Sequence, residues 1–131
     1  MRTLWFCMLL SVGSYYVFTI IAGRKESLEP NPRLSLTLIC VGMAAVLVSF
    51  LVKSRLLSKA LEQQDVGMVQ QAYVMAWAIT EVAALLSMLD FFLTNNRYYY
   101  ALLILAALGL LLHFPRREAV VNAAFKRGLQ V

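Results

Sequence analysis

Charge is what this sequence has least of. Of its 131 residues, 15% are Asp, Glu, Lys or Arg, where an average soluble domain carries about 25%. A water-soluble fold of this length needs a polar shell, and the shortage excludes one. Cysteine is nearly absent too. Cys7 and Cys40 make no Cys-x-x-Cys, so the thiol chemistry of four-helix membrane oxidoreductases has no motif here. On the spans given below they sit on the order of 15 Å apart in depth, too far for a disulfide, and both read as packing residues. The one histidine, His113, gives neither a bis-histidine haem nor a single-chain zinc site its ligands. Beside Arg116 and Arg117 it reads as an interfacial histidine. No nucleophile–base pair, metal cluster or phosphate-binding loop is present, so no enzymatic activity, metal or cofactor is expected. No basic surface interleaved with aromatics stands outside the apolar blocks, so nucleic acid is not an expected partner.

What the sequence has is long apolar runs. Hydrophobic residues make up 61% of it, and the mean hydropathy is +0.72. A bilayer core of about 30 Å takes roughly 20 apolar residues in a helix. Four blocks approach that length: residues 4–22, 34–52, 72–93 and 98–114. The first two contain no Asp, Glu, Lys, Arg or His, the third carries Glu81 and Asp90, and the shortest has His113 in its last turn. The runs are continuous, as in LLILAALGLLL, and lack the period-two alternation of a membrane β-barrel. The expected fold is all-α: one polytopic membrane domain over residues 1–131, a four-helix transmembrane bundle with sequential helices as antiparallel neighbours. The first block is longer than a signal-peptide core and no A-x-A-like site closes it, so it reads as an uncleaved span.

Basic residues set the orientation. With the N-terminus inside, Arg2, Lys53, Arg55, Lys59, Arg116, Arg117, Lys126 and Arg127 are cytoplasmic, against Arg24, Lys25, Arg33 and Arg97 outside. Both termini are therefore expected in the cytoplasm, with residues 115–131 as a basic tail and a bacterial inner (plasma) membrane as the location. The net charge of +5 is chiefly this topology signal. Residues 23–33, with Pro30 and Pro32, read as an extended outer loop. Leu56, Leu57, Ala60 and Leu61 share a face, so the second helix is expected to continue beyond the membrane as an amphipathic extension that turns near Gly67. Asn95-Asn96 marks a tight turn, followed by Tyr98, Tyr99 and Tyr100 at headgroup level. Trp5 and Phe6 suit the opposite interface. Gly42, Ala45 and Ser49, and likewise Ala76, Ala83 and Ala84, are small enough for close helix approach.

Glu81 stands out, because a charge at mid-membrane costs roughly 2.5–3.5 kcal/mol on insertion scales. Either it is held as a neutral, hydrogen-bonding acid that glues helices or protomers together, or it faces a hydrated cavity and exchanges protons or ions. Val74, Trp77, Leu85, Met88 and Phe92 share its face. Asp90 lies nine residues on, on the opposite side of the helix, so the two form no dyad. It is expected as an interfacial acid within reach of Arg97.

Residues 55–93 carry a polar Gln63-Gln64 turn followed, in the next span, by Glu81 within AITEVAAL. This stretch resembles the helical hairpin of the proteolipid c-subunit of rotary ATP synthases. There a polar cytoplasmic loop joins two membrane helices, and one mid-membrane carboxylate on the second binds the transported proton or sodium ion. The resemblance implies that Glu81 would be that carboxylate. Where the family has a glycine repeat, this chain has only Gly42, Ala44 and Ala45, and it adds two further spans. Small multidrug transporters place their membrane Glu in the first helix, and here that helix has no acid. Two expectations follow: a non-enzymatic subunit or scaffold, in a homo-oligomer or with other membrane subunits in the lipid bilayer, or a proton- or ion-binding component built on Glu81. Reporter fusions after Leu28, Gln64, Asn96 and Gln130 should read outside, inside, outside, inside; a cytoplasmic signal at Asn96 would reverse the orientation.

Overall fold

The computed structural model describes residues 1–23, 31–115, 118 and 121. Most of the loop expected over residues 23–33 and most of the basic tail expected over 115–131 fall outside these residues. The described chain is four α-helices with no strand: α1 (Arg2–Ala22), α2 (Pro32–Gln63), α3 (Val66–Thr94) and α4 (Tyr99–Leu112). Three of them, α1 to α3, are long and apolar enough to cross a membrane. The fourth has 14 residues, about 21 Å, and falls short of a core of about 30 Å.

Local chemistry sets the boundaries. Asn31 caps α2 by accepting the Leu34 N–H at 3.2 Å, and Pro32 occupies the first helical position, where its missing N–H costs nothing. Pro32 thus starts a helix and does not extend the loop as the sequence suggests. At the other end of α2, Gln64 turns left-handed at φ 53 and its N–H returns to the Ala60 carbonyl. Asp65 follows at once as the cap of α3, accepting the Gly67 N–H at 2.7 Å. The turn is therefore two residues earlier than Gly67, which sits inside α3. Asn95 closes α3 in the same left-handed way, at φ 51.

The helices run up, down, up, down, with α3 as the axis. It packs against all three others, whereas α1 packs on α3 and α4 and makes no contact with α2 among the described residues. Sequence order predicts α1 and α2 as neighbours, and the structure corrects this. The polar side chains of α1 decide it: Trp5, Ser11, Tyr15 and Thr19 all find their partners on α3 or α4. Nine residues separate α1 from α2, a reach of up to about 30 Å, enough to place α2 on the other side of the α3–α4 pair. In α1 only Val12 and Thr19 are buried.

Small residues sit where helices meet, largely as expected. Ala76, Ala83 and Ala84 are fully buried on α3, and Gly42 and Ser49 are buried on α2, with Ala45 half-buried. A methyl group on Gly42 would stand 2.6 Å from the Leu102 side chain, and one on Gly109 would stand 3.0 Å from Thr80. These two glycines let α4 approach α2 and α3.

Ser49 lies level with His113 at the end of α4. From there α2 continues to Gln63, a further 14 residues or about 21 Å, paired with the first turns of α3. The amphipathic extension is present. Ala60 is buried with Val69, and Leu57 packs beside them, while Leu61 turns outward. Met1, Phe114 and this hairpin share one end of the bundle, and the α3–α4 turn forms the other. A non-glycine residue in the left-handed region is strained, so Gln64→Gly should raise stability by about 0.5–1 kcal/mol. Unfolding in detergent micelles reads this, and a lower stability would mean that Gln64 contributes contacts worth more than the strain.

Candidate functional site

The ionisable groups inside the bundle lie at three separate places. Glu81 is at mid-length of α3 and half-buried, facing α1. Its Oε1 accepts the Ser11 hydroxyl at 2.6 Å and the Tyr15 hydroxyl at 2.9 Å, and the two hydroxyl oxygens are 3.1 Å apart. Ser11 and Tyr15 are four residues apart, on one face of α1, so the helix presents both to the same acid. The proton count is informative. Three oxygens make three close contacts, and the hydroxyls supply two protons. With the carboxyl ionised both hydroxyls donate to it and the Ser11–Tyr15 contact lacks a proton. With one proton on the carboxyl, Ser11 can turn its own toward Tyr15, and each oxygen then gives and receives one hydrogen bond.

Asp90 does not pair with Arg97, the partner the sequence suggests. It is fully buried, while Arg97 is exposed. Its Oδ2 accepts Ser35 Oγ of α2 at 3.1 Å and Asn96 Nδ2 of the turn at 2.8 Å, and its Oδ1 accepts Thr94 Oγ1 at 2.7 Å. Asn96 also donates to Ser35 at 2.6 Å, and its own Oδ1 takes the Tyr98 N–H at 3.0 Å, which fixes the amide with its NH₂ toward Asp90. Donors aimed at a carboxylate fill the positions a cation would take, so this cluster is a clasp and not a cation site. It holds the start of α2, the end of α3 and the following turn together. Neutral hydroxyl and amide donors satisfy it where the sequence offers a cation, because Ser35 and Asn96 approach from inside while Arg97 projects out. As the spacing requires, Glu81 faces α1 and Asp90 faces α2.

His113 also turns into the bundle. It is fully buried, with Nε2 2.9 Å from Ser49 Oγ and the Phe50 ring 4.3 Å from its own. Its Nδ1 is buried with no partner among the described residues. Two indoles cap the same end of α4: Trp5 Nε1 donates to the Leu110 carbonyl at 2.8 Å and Trp77 Nε1 to the His113 carbonyl at 3.1 Å. Trp5 thus turns inward, with Phe114 edge-on to it at 5.0 Å. At the other end Tyr99 is buried between Tyr98 and Tyr100, which are exposed; its hydroxyl pairs with Thr19 and its carbonyl accepts Ser87. Cys7 and Cys40 are free and exposed on the outer faces of their helices, so they are not the interior packing residues expected.

The partners of Glu81 are not evident from the acid itself. The signal that finds them is the stripe Ser11, Tyr15, Thr19 at intervals of four in α1, a polar seam along one face of the helix. Among the described residues no three His, Cys, Asp or Glu side chains group as metal ligands. Compared with known proteins, the chain matches no family model, no curated protein and no solved structure.

The two acids should differ when truncated. Asp90→Ala removes the acceptor that Ser35, Thr94 and Asn96 share and leaves a cavity between α2 and α3, so a loss of about 2–4 kcal/mol is expected. Glu81→Ala, at a half-buried site, should cost nearer 1 kcal/mol. Detergent-titrated unfolding of both variants reads the difference, and equal losses would contradict the clasp.

Proposed function

We propose that the protein is a small non-enzymatic subunit or scaffold of a membrane complex, in a bacterial inner (plasma) membrane with both termini cytoplasmic. The observation that carries this reading is how its two membrane carboxyls are used. Each is occupied by neutral donors from a different helix, Glu81 tying α1 to α3 and Asp90 tying α2 to α3. They lie nine residues apart on opposite sides of α3, about 13 Å in depth, and form no shared site. The internal polar chemistry serves cohesion. What the molecule offers outward is apolar helix surface and, beyond α4, the α2–α3 hairpin with Arg55 and Lys59 exposed. Such a molecule acts by contact, in a homo-oligomer or with other membrane subunits.

A second reading has a specific observation behind it. Glu81 is half-buried, its hydroxyl ring accommodates one added proton, and its hairpin resembles that of the c-subunit, all of which favour a proton- or ion-binding component. One substitution separates the two. As cohesion alone, Glu81→Gln is nearly silent in assembly and stability, because the amide retains an acceptor. As a proton-exchanging group, Glu81→Gln folds and assembles normally but abolishes proton-dependent activity in reconstituted vesicles. A hydrophobic carbodiimide, which consumes protonated carboxyls, should then label Glu81 less as pH rises and leave the enclosed Asp90 unlabelled. Gentle solubilisation completes the test: a stable complex with other membrane proteins supports the subunit reading, and a closed ring of this chain with a carbodiimide-reactive Glu81 supports the second.

A further inference from the structure

Three glycines lie within the helices of the bundle proper, and two of them have a packing reason. Gly42 and Gly109 sit under neighbouring helices, where a methyl group would press on Leu102 or Thr80. Gly13 does not. A Cβ built on it meets nothing within 4 Å. An interior helical glycine costs roughly 0.5–1 kcal/mol relative to alanine, and here no close approach offsets that. What Gly13 does is leave space. It lies on the floor of a groove of about 680 Å³ between α1 and α4, beside Val12 and Ala107, within the usual range of about 300–1,000 Å³ for ligand sites.

The groove has a direction. At the α3–α4 turn end it is rimmed by Tyr16, Tyr99 and Tyr100, and further in by Leu9, Leu103 and Ile104 alone. Tyr99 spends its hydroxyl on Thr19. The hydroxyls of Tyr16 and Tyr100, both on exposed side chains, make no hydrogen bond among the described residues. About one turn beyond Leu9 and Ala107 the groove is shut, because Trp5 crosses from α1 to the Leu110 carbonyl and packs edge-on to Phe114. Its length, from Leu9 to Tyr16 on α1 and from Tyr99 to Ala107 on α4, is about 10–12 Å. That is within half of a hydrocarbon core of about 30 Å. A transmembrane helix from a second copy needs a seam along the whole core. A slot one leaflet deep, apolar at its closed end and hydroxyl-rimmed at its mouth, fits a molecule with one polar end and one apolar tail.

We propose that this groove is a lipid site that holds an acyl chain of a membrane phospholipid, taken from the leaflet at the α3–α4 turn, with its glycerol ester region at the hydroxyls of Tyr16 and Tyr100. Gly13 is kept small so that the chain lies against the α1 backbone.

The test uses the full chain in vesicles of dioleoyl phosphatidylcholine containing a small fraction of a phosphatidylcholine with a diazirine in its acyl tail. After irradiation, adducts should concentrate on α1 between Leu9 and Tyr16 and on α4 between Tyr99 and Ala107. Filling the groove from either wall, by Gly13→Phe or by Ala107→Phe, should lower these adducts about tenfold, a change of about 1.4 kcal/mol in occupancy. Val48→Phe, on the exposed face of α2, should leave them unchanged. Circular dichroism and a single species in detergent confirm each variant's fold, and the two walls are independent, so one misfolded variant leaves the other to decide. Adducts spread evenly over the outer faces of all helices, or unchanged in a folded groove-filling variant, overturn the proposal. So does a disulfide-linked dimer formed in vesicles by Gly13→Cys in a Cys7→Ser, Cys40→Ser background, since a second copy would then occupy the slot.

Discussion

A backbone carbonyl in hydrocarbon has no water to turn to, and the last turn of α4 has several. A helix that crosses the membrane with length to spare resolves this at the interface. With 14 residues, about 21 Å, α4 has no length to spare. Its terminal carbonyls are met instead by indole N–H groups from α1 and α3, through Trp5 and Trp77. Much else follows from this requirement. Trp5 must turn inward, which pins the start of α1 against α4. Trp77 must be buried at the level of His113, which fixes the depth of α3. Ser49 then meets the histidine ring from α2. One end of a short helix thereby brings all four helices to a common level.

The opposite end obeys the same rule with different groups. Tyr99, the first residue of α4, gives its carbonyl to Ser87 and its hydroxyl to Thr19. The clasp around Asp90 secures the turn just before it. Hydrogen bonds between membrane helices average only about 0.6 kcal/mol each, so no single tie holds the bundle. Their distribution matters more: α1 is fastened at three depths, by Trp5, by Ser11 with Tyr15, and by Thr19. That compensates for a helix that buries only two of its side chains.

Much of this architecture was legible in the sequence. Unbroken apolar blocks mark the helices, the period of Leu57 and Ala60 marks the extension of α2, and the nine-residue interval puts Glu81 and Asp90 on opposite faces. The arrangement of helices in cross-section was not legible, because antiparallel order leaves open which helices touch. That choice is made by side-chain pairs distant in sequence, such as Ser11 with Glu81. The inward partners of Asp90, His113, Trp5 and Tyr99 were not legible, for one reason. Polar and aromatic residues near the ends of apolar blocks are expected at the interface, and each of these turns inward to satisfy a partner on another helix. Glu81 was identifiable alone; its hydroxyl partners were visible only as a stripe of period four on α1.

The separation in sequence between the two ends of these ties has a consequence for how the protein is made. Trp5 reaches the Leu110 carbonyl across 105 residues. At about 5–20 residues per second the ribosome needs about 5–20 s to synthesise that interval. For the first 66–80 residues of it, α1 holds Ser11, Tyr15 and Thr19 without their partners on α3 and α4. α1 thus waits on α3 and then on α4 before all its ties are made, and an insertase or chaperone that shelters a polar seam in the bilayer would act on it in that interval.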